Sequence, residues 1–421
     1  MLSLYKKTIL KCLQKGTIGG LTITLPDSEQ IQCGNFSHKL QLNINDDRFF
    51  QKVANKGAMG LGESYQLGYW TSNNLTGVLI WFLENKRYIE PNTSPMLAAM
   101  IKRVNSLGNF TLHYRNRNTI EQSVANIHAH YDLGNDFYKA FLDPSMTYSS
   151  GYFTDSSTIL EESQYEKYDR ICRKLGLDET NHVLEVGCGW GGFSMYAVKN
   201  YGCKVTATTI SQNQFDEAKI RIEAAGLQGK INLIQTDYRQ LTGKYDRIVS
   251  IEMIEAVGQE FLSSYFKQLE TLLAPDGLIA IQAITCPNPV YDNSSRKVDW
   301  IQKHIFPGSH LPSNHALIEN AEKQGELDLY HMESFGIHYA RTLREWKTRF
   351  LNNWPEIQKM GFDEAFKNKW VYYLCYCEAG FLQRHVNVCQ IVFGRADETA
   401  FQFELDNKTK QQPNTLTSLA S

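Results

Sequence analysis

The sequence lacks a long uninterrupted apolar run, and this absence argues against a protein that spans a membrane. No window of the 421 residues approaches the roughly 18 uncharged apolar positions that a transmembrane helix needs. The first stretch, MLSLYKKTILKCLQKG, scatters lysines among its apolar residues and has no small-residue cleavage site, so we expect no signal peptide. The expectation is a cytoplasmic protein.

The chain also lacks an excess of charge of either sign. Its formal net charge is -2, and no cluster of Arg and Lys is interleaved with aromatic residues. Proteins that bind nucleic acid normally present such a basic surface. We therefore expect no nucleic-acid partner.

A disulfide framework is missing as well. The nine cysteines are an odd number, and their spacing follows no regular pattern. Cys375 and Cys377 form a C-x-C pair, but no second pair of Cys or His at zinc spacing accompanies them. We expect reduced thiols and no metal site.

The length, in contrast, exceeds what one hydrophobic core normally organises, so we expect two domains. Residues 1–90 predict a small α+β domain, because GLTITLPDSEQIQCG alternates like a hairpin around Pro26 and Asp27. The stretch LTGVLIWFLENK (75–86) then has the apolar spacing of a helix. Residues 399–421 predict a polar tail.

Residues 91–123 predict a basic linker between the domains. No Asp or Glu occurs from Pro91 to Ile120. The basic residues there are Lys102, Arg103, Arg115 and Arg117. Two interpretations stay open: a solvated connector, or a surface for anionic lipid headgroups, where each basic residue contributes about 1 kcal/mol.

Residues 124–398 alternate short apolar runs with helical segments, which predicts an α/β domain with a parallel sheet covered on both faces. The expected strands include KVTATTI, INLIQ, DRIVSIE and GLIAIQAI. Residues 287–335 interrupt this alternation with loops rich in Pro, Asn and His. An insertion there is expected to cap the carboxyl ends of the strands, where such sheets bind ligands.

A glycine-rich turn, VLEVGCGWGG, follows the first of these strands. Gly187, Gly189 and Gly192 satisfy G-x-G-x-x-G, which alone does not separate a dinucleotide site from other nucleotide sites. Glu185 would repel a pyrophosphate but suits a ligand that carries an ammonium group. The second strand ends TATTIS, without the acid that binds a dinucleotide ribose. The turn therefore resembles the first motif of class I S-adenosylmethionine methyltransferases.

Three further stretches carry a more specific resemblance: HAHYDLGNDFYKAFLDPSMTYSSGYF, VSIEMIEAVG and DWIQKHIFPGSHLPS. Together they resemble the cyclopropane-fatty-acyl-phospholipid synthase family, which includes mycolic-acid-modifying enzymes. The resemblance reaches WVYYLCYCEAGF near the C-terminus and GLGESYQLGYWTSNNLTGVL in the first domain, and so covers nearly the whole chain. It implies a Rossmann-like catalytic domain with a mostly parallel seven-stranded sheet, helices on both faces, and a smaller α+β domain before it.

These resemblances imply a donor site for S-adenosylmethionine. Glu185 would lie near the donor's amino group, Gln214 would serve the ribose, and Asp237 would border the adenine, although Asp237 also suits a helix N-cap. The loop His130 to Asp132 would close over the donor. The residues assigned to the donor are Tyr148, Ser149, Glu185, Gly187, Gly189, Gly191, Thr209, Ile210, Gln214, Asp237 and Tyr238.

The family transfers a methyl group to a cis double bond of a lipid acyl chain and closes a cyclopropane ring through a carbocation. The new methyl group must then lose a proton, and family members use a bound bicarbonate ion as the base. By resemblance, Glu255 would hydrogen-bond this ion, with the Ile284 N–H and the Tyr339 hydroxyl. Glu255→Gln is then expected to lower turnover strongly, while Glu252 has no assigned role.

Two positions differ from the commoner bacterial pattern. Ser150 replaces a Cys and Gln282 replaces a His, but both side chains can still donate a hydrogen bond to an anion. The changes leave open a methylene or methyl-branched product, or a non-catalytic lipid-binding relative. Cys377 matches a cysteine treated as catalytic in the family, although a buried structural thiol also fits.

The partners implied are unsaturated acyl chains and a phospholipid membrane surface. We expect an enzyme that docks peripherally on the inner membrane face. The first domain and the linker would help it dock or form a homodimer. A dinucleotide-dependent reductase is the remaining rival.

Overall fold

A computed structural model describes residues 2–35, 40–89, 133–294, 298–324 and 327–396 of the chain. The linker at 91–123, the loop from His130 to Asp132 and the tail at 399–421 lie outside the described residues. Among the described helices, none combines the length and the apolar character that crossing a bilayer requires.

The N-terminal domain is a four-stranded sheet packed against helices. Its strands are β1 (Gly20–Thr24), β2 (Gln30–Gly34), β3 (Leu40–Ile44) and β4 (Trp70–Ser72), in the order β2-β1-β3-β4. Its helices are α1 (Leu2–Leu13), α2 (Arg48–Lys56), α3 (Ala58–Gln66) and α4 (Leu75–Ile89). β1 and β2 are antiparallel and form the predicted hairpin, and α4 is the predicted helix.

The catalytic domain contains a seven-stranded sheet. Its strands are β5 (His182–Val186), β6 (Lys204–Thr209), β7 (Ile231–Gln235), β8 (Tyr245–Ile251), β9 (Leu273–Thr285), β10 (Leu327–Ser334) and β11 (Asn387–Arg395), in the order β10-β11-β9-β8-β5-β6-β7. Strands β5 to β9 pair in parallel, and β11 runs antiparallel to both of its neighbours. This sheet confirms the mostly parallel, Rossmann-like architecture.

Helices cover both faces of this sheet. Consecutive strand residues point to opposite faces, so they pack into different apolar clusters. Leu184 and Ile248 face one apolar cluster with the helices Leu262–Leu272 and Asn314–Gln324, whereas Val183 and Val249 face another with the helices Leu160–Lys174 and Gly192–Tyr201. The helices of the domain are α5 (Asn135–Lys139), α6 (Leu160–Lys174), α7 (Gly192–Tyr201), α8 (Gln212–Ala224), α9 (Leu262–Leu272), α10 (Asn288–Ser294), α11 (Trp300–His304), α12 (Asn314–Gln324), α13 (Gly336–Asn352), α14 (Trp354–Lys359) and α15 (Glu364–Leu382).

The expected insertion at 287–335 is only partly separate from the sheet. Eight of its last nine residues, Leu327–Ser334, are strand β10 of the sheet itself. The strand escaped prediction because β10 is an edge strand whose residues are mostly half-exposed, so it has no apolar run. A second insertion, which holds α13 to α15, lies between β10 and β11.

The N-terminal domain packs on the catalytic domain through α3 and α4. Its apolar residues share one core with α13 and α15. The hydroxyl of Thr76 on α4 donates to the buried carboxylate of Glu378 on α15 at 2.7 Å. A side chain at Gly62 on α3 would come within 2.4 Å of Trp300 Nε1, so α3 lies directly against α11.

Candidate active site

The predicted site residues meet where the parallel strands end. Gly187 follows β5, Glu252 follows β8, and Gln282 and Ile284 lie near the end of β9. Because the carboxyl ends of neighbouring parallel strands form one edge of the sheet, these residues share a single crevice.

The glycine-rich turn leaves its backbone open toward this crevice. Gly187 has φ +79° and Gly189 has φ +53°, a backbone conformation that favours glycine. A Cβ on Gly187 would lie 2.7 Å from Met253 Cγ, whereas a Cβ on Gly189 would meet no described atom within 4 Å. The turn can therefore accept a ligand directly against its main chain at Gly189, while Gly191 caps the start of α7.

Glu185 lies buried beneath the turn and accepts a hydrogen bond from the Ser194 hydroxyl. Burial raises the pKa of Glu185 to about 8, against the opposing influence of Ser194 and of the positive charge of Lys167. A cationic ligand beside this carboxyl would favour its ionised form. The residue thus suits the ammonium group of the expected donor.

The turn after β6 is also fixed by hydrogen bonds. The Thr209 hydroxyl donates to Gln214 Oε1 at 2.9 Å, and Ser211 caps α8 just beyond the half-buried Ile210. Gln214 is buried and is therefore not an exposed helix position.

Asp237 caps the short 3-10 turn Tyr238–Gln240 and pairs with Arg239 at 2.6 Å. The N-cap interpretation of Asp237 is therefore confirmed. Tyr238 is buried beside it, and its ring packs edge-on against Tyr265. Whether the two residues also border an adenine stays a prediction.

A buried lysine that no sequence motif indicated supports the next part of the site. Lys167 on α6 is fully buried and donates from Nζ to the Ser149 hydroxyl at 2.7 Å. Burial lowers the pKa of Lys167, while the charges of Glu252, Asp143 and Glu185 act to raise it. A pKa of about 7 leaves Lys167 partly protonated near neutral pH, where its charge acts on both Glu185 and Glu252.

Aromatic rings surround this region. The Tyr148 ring lies 5.1 Å from Trp346 and 6.4 Å from Phe306, and its hydroxyl is 2.9 Å from that of Tyr373. The Tyr339 ring stacks on Phe381 at 4.4 Å. Such ring faces are electron-rich and attract a cation.

Glu252 is the centre of the polar site, although sequence reasoning gave it no role. Its Oε1 accepts from the Ser150 N–H at 2.9 Å and from Gln282 Nε2 at 2.7 Å. Its Oε2 accepts from the Tyr339 hydroxyl at 2.7 Å. Burial raises the pKa of Glu252, while these hydrogen bonds and the charge of Lys167 oppose the rise.

Glu255 lies in a 3-10 turn just beyond Glu252. Its Oε1 accepts from the Ile284 N–H at 2.5 Å, and its backbone carbonyl accepts from the His310 N–H at 2.8 Å. Burial and then the charge of Glu252 raise the pKa of Glu255 to about 8. Three donors favour the ionised form of Glu252, whereas Glu255, with one donor and a pKa of about 8, favours its protonated form near neutral pH.

The orientation of the Gln282 amide is set by a chain of donors that starts at Lys174. Lys174 Nζ donates to Gln390 Oε1 at 2.6 Å, so the amide nitrogen of Gln390 must point the other way. That nitrogen donates to Gln282 Oε1 at 3.1 Å. Gln282 is thereby left with its own nitrogen directed at Glu252.

The residues assigned to bicarbonate do not fit that ion, because their donors already bind carboxylates of the chain. Ser150, Gln282 and Tyr339 donate to Glu252, and the Ile284 N–H donates to Glu255. The Ser150 hydroxyl, expected to face the anion, donates to the Gly151 carbonyl at 3.0 Å. The grouping of these residues is as expected, but the anion at their centre is Glu252.

Cys377 lies on α15, and burial strongly raises the pKa of its thiol. A thiol in that state does not supply a thiolate nucleophile near neutral pH. Of the two interpretations of Cys377, the buried structural thiol is the one that its surroundings favour.

Comparison with known proteins places this site in context. The mycolic acid cyclopropane synthetase family matches residues 118–391. The tuberculostearic acid methyltransferase UfaA1 of Mycobacterium tuberculosis is 37% identical over 82% of this chain and 80% of its own length. The cyclopropane-fatty-acyl-phospholipid synthase of Escherichia coli K12 is 35% identical over 87% of this chain and 91% of its own length.

Solved structures agree with these sequence matches. The mycolic acid cyclopropane synthase CmaA1, complexed with SAH and CTAB, superposes with a TM-score of 0.60 and 31% identity. It covers 64% of this chain and 97% of its own length. Coclaurine N-methyltransferase, at 20% identity and a TM-score of 0.61, shares the fold over 80% of this chain.

Proposed function

Because this chain belongs to the mycolic acid cyclopropane synthetase family and is an S-adenosylmethionine-dependent methyltransferase, we propose that it cyclopropanates unsaturated acyl chains of membrane phospholipids. The Escherichia coli relative, whose name specifies fatty-acyl phospholipids, supports this substrate and matches both domains. The observation that carries the proposal is the aromatic enclosure around the strand ends, where Tyr148, Trp346 and Tyr339 lie beside paired carboxyl groups.

The donor would be held by the open turn at Gly189, by Glu185 and by the side chains after β6 and β7. When bound, S-adenosylmethionine supplies an electrophilic methyl group. The complex of CmaA1 with SAH, the demethylated donor, supports this placement. We assign Gln214 to the ribose hydroxyls, since its buried amide is already oriented by Thr209.

The acceptor chain would enter between the aromatic rings. An alkene is a weak nucleophile, so it must be aligned closely with the donor in a site that excludes water. The resulting carbocation is stabilised by the electron-rich faces of Tyr148, Trp346 and Tyr339. The presence of CTAB, a long-chain alkylammonium, in the CmaA1 complex supports a passage of this kind.

A methyl-branched or methylene product is the second candidate. The similarity to the tuberculostearic acid methyltransferase is as high as that to the cyclopropane synthase, so overall identity does not choose between products. Both products require loss of a proton from the transferred methyl group or a neighbouring carbon. The same site therefore serves either outcome.

The test is incubation with isotopically labelled S-adenosylmethionine and vesicles of cis-unsaturated phospholipid. We expect acyl chains that gain the mass of one CH₂ group and show cyclopropane proton resonances by NMR. Olefinic methylene or methyl-doublet resonances would establish the second candidate. Vesicles recovered without any mass gain would reject both and favour a lipid-binding protein.

We also propose that the enzyme docks on the cytoplasmic membrane surface, since its substrate chains reside in the bilayer. Co-flotation with anionic and with zwitterionic vesicles measures this docking. Enrichment on anionic vesicles supports a role of the basic linker, and absence of flotation with either contradicts docking. A homodimer formed through the first domain stays a prediction that sedimentation equilibrium can check.

A further inference from the structure

The three groups that donate to Glu252 come from distant parts of the chain. Ser150 precedes α6, Gln282 is on β9 and Tyr339 is on α13. All three reach the same carboxylate at 2.7 to 2.9 Å. A carboxylate offers about four acceptor sites, so one remains after these three bonds.

We propose that the side-chain carboxylate of Glu252 is the base that takes the proton from the transferred methyl group, so that the enzyme needs no bicarbonate ion. This inference rests on the proposed function. In this proposal, the donors around Glu252 bind the carboxylate of the protein itself, whereas the resemblance to the family implies that they bind a bicarbonate ion taken from solution.

The step balances without any further reactant. After methyl transfer, the acyl chain is a carbocation next to the carbon that carries the new methyl group. A C–H bond of that methyl group breaks, its proton moves to Glu252, and its electron pair forms the third C–C bond of the ring. Glu252 leaves the step as a neutral carboxylic acid and returns the proton to water when the product departs.

The backbone of Glu252 is a second and independent observation. Glu252 has φ +49°, in the left-handed region that side chains other than glycine, Asn and Asp seldom adopt. Such a conformation costs roughly 1 kcal/mol or more, and it persists where the surroundings enforce it. Here it turns the side chain from the end of β8 toward Ser150 and Tyr339.

The neighbouring glutamate does not compete for the proton. Glu255 is held protonated by burial and by the charge of Glu252. Groups that face Glu252 are the cation Lys167 and the neutral Tyr339, Ser150 and Gln282. A paired acid and base of this kind divide their roles by environment, and Glu252 is the ionised member.

Glu252 is also placed to meet a substrate. It retains accessible surface, yet burial is the largest influence on its pKa. The carboxylate is therefore enclosed by protein while part of the residue stays accessible. The ring of Tyr339, whose hydroxyl bonds Glu252, and beyond it those of Trp346 and Tyr148 are the ones assigned to the carbocation.

The experiment compares Glu252→Gln, Glu252→Gly and the unchanged enzyme in buffer freed of carbon dioxide. Gln keeps the volume, and its amide oxygen can accept from the Ser150 N–H and from Gln282 while its amide nitrogen faces the Tyr339 hydroxyl, but it is no base. Gly suits the backbone at this position and opens a space lined by Ser150, Gln282 and Tyr339. Glu356→Gln, which alters an exposed ion-paired glutamate on α14, is the matched control.

We expect the unchanged enzyme and Glu356→Gln to turn over equally with and without added bicarbonate. Glu252→Gln should lose a factor of about 10² or more, as removal of a general base typically does. Glu252→Gly should lose as much and regain about tenfold when bicarbonate or formate is added. Calorimetry of S-adenosylhomocysteine binding should be alike for all four proteins, which shows that the variants are folded.

Three outcomes would overturn the assignment. They are full turnover by Glu252→Gln without bicarbonate, dependence of the unchanged enzyme on bicarbonate, and a folded Glu252→Gly that no small carboxylate restores. The proposed function fails differently: the unchanged enzyme would then form no product in any buffer.

Discussion

At the scale of single residues, two glutamates three positions apart are held in opposite charge states. Glu252 receives three donors, whereas Glu255 receives the Ile284 N–H and the repulsion of its neighbour. This geometry changes the effect that we expect from Glu255→Gln. Because Glu255 is already neutral, the substitution removes no charge and should lower turnover only a little.

We predict that Glu255→Gln lowers turnover at pH 7 at least about tenfold less than Glu252→Gln does, given the span of general-base effects. The amide oxygen of Gln can still accept from the Ile284 N–H. Turnover and donor binding of the two variants should be measured side by side. An equal or larger loss in Glu255→Gln would mean that Glu255, and not Glu252, carries the active charge.

The Gln282 amide gives a second prediction at this scale. In Gln390→Glu, the new carboxylate still accepts from Lys174 but cannot donate to Gln282. Gln282 should then rotate its nitrogen toward position 390 and present its oxygen to Glu252. We expect turnover to fall about tenfold, in line with the loss of one buried charge-assisted hydrogen bond.

Gln390→Met, which neither donates nor accepts strongly, is the control for this variant. It should leave Gln282 free to keep its present orientation and should reduce turnover less. If Gln390→Met and Gln390→Glu are equally impaired while unfolding at the same urea concentration, the proposed orientation of the amide is wrong.

The sequence predicted which residues form the polar site more readily than it predicted the hydrogen bonds that they make. Ser150, Gln282 and Tyr339 are found by resemblance, and they do come together. Glu252 and Lys167 could not be found in the same way. The direction of the Glu252 side chain depends on a left-handed backbone conformation, and the burial of Lys167 depends on how α6 packs. The local sequence predicts neither feature.

At the scale of elements, apolar runs in the sequence located β6 to β9, whereas β10 has no such run. The runs were sufficient even for β7, which lies at the opposite edge of the sheet from β10. β10 pairs with one neighbour and has the sequence LDLYHMES, which carries no such run. The prediction from sequence therefore placed the residues of β10 in an insertion.

The contact between α4 and α15 carries a prediction of its own. The buried carboxylate of Glu378 accepts from Thr76, from Arg344 at 2.8 Å and from Lys347 at 3.0 Å. Glu378→Ala leaves Lys347 without this partner, and we expect a loss of about 2–4 kcal/mol in the free energy of unfolding. Urea denaturation followed by tryptophan fluorescence measures it.

Glu356→Ala is the matched control, because Glu356 is 64% exposed and pairs with the exposed Lys359. Its loss should stay below about 0.5 kcal/mol. Similar losses in the two variants would show that the Glu378 cluster does not join the domains.

At the scale of the whole molecule, the N-terminal domain braces the active site. Glu63 on α3 accepts from Lys303 on α11 at 2.7 Å. The segment after α11 carries Phe306, which contacts Tyr148, and His310, which bonds Glu255. The first domain is thus linked to the carboxyl groups of Glu252 and Glu255 through one short stretch of chain.

This brace should depend on pH. Burial acts to raise the pKa of Glu63, but hydrogen bonds and charges of Lys303 and Lys56 outweigh it and lower the pKa to about 2. Because the pKa of Glu63 is lower in the folded protein than in the unfolded chain, its ionised form stabilises the fold. This stabilisation is fully present at pH values above 4.5 and is lost as the pH falls toward 2. Glu63→Gln should therefore cost about 1–3 kcal/mol at pH 7, discounted for the partly exposed lysines.

The measurement is the free energy of unfolding of Glu63→Gln and of the unchanged protein from pH 7 down to the lowest pH at which both stay folded. The difference should be constant above about pH 5 and shrink below it. A difference that stays constant or grows on acidification would contradict the ionic brace.

The left-handed backbone at position 252 also has an evolutionary consequence. Codons for Glu and Gly differ by a single nucleotide, and the main chain here already has the shape that Gly prefers. A lineage could therefore exchange an inherited base for one drawn from dissolved inorganic carbon by one mutation, without rebuilding the loop. Selection between the two forms would then follow the carbon dioxide supply of the habitat.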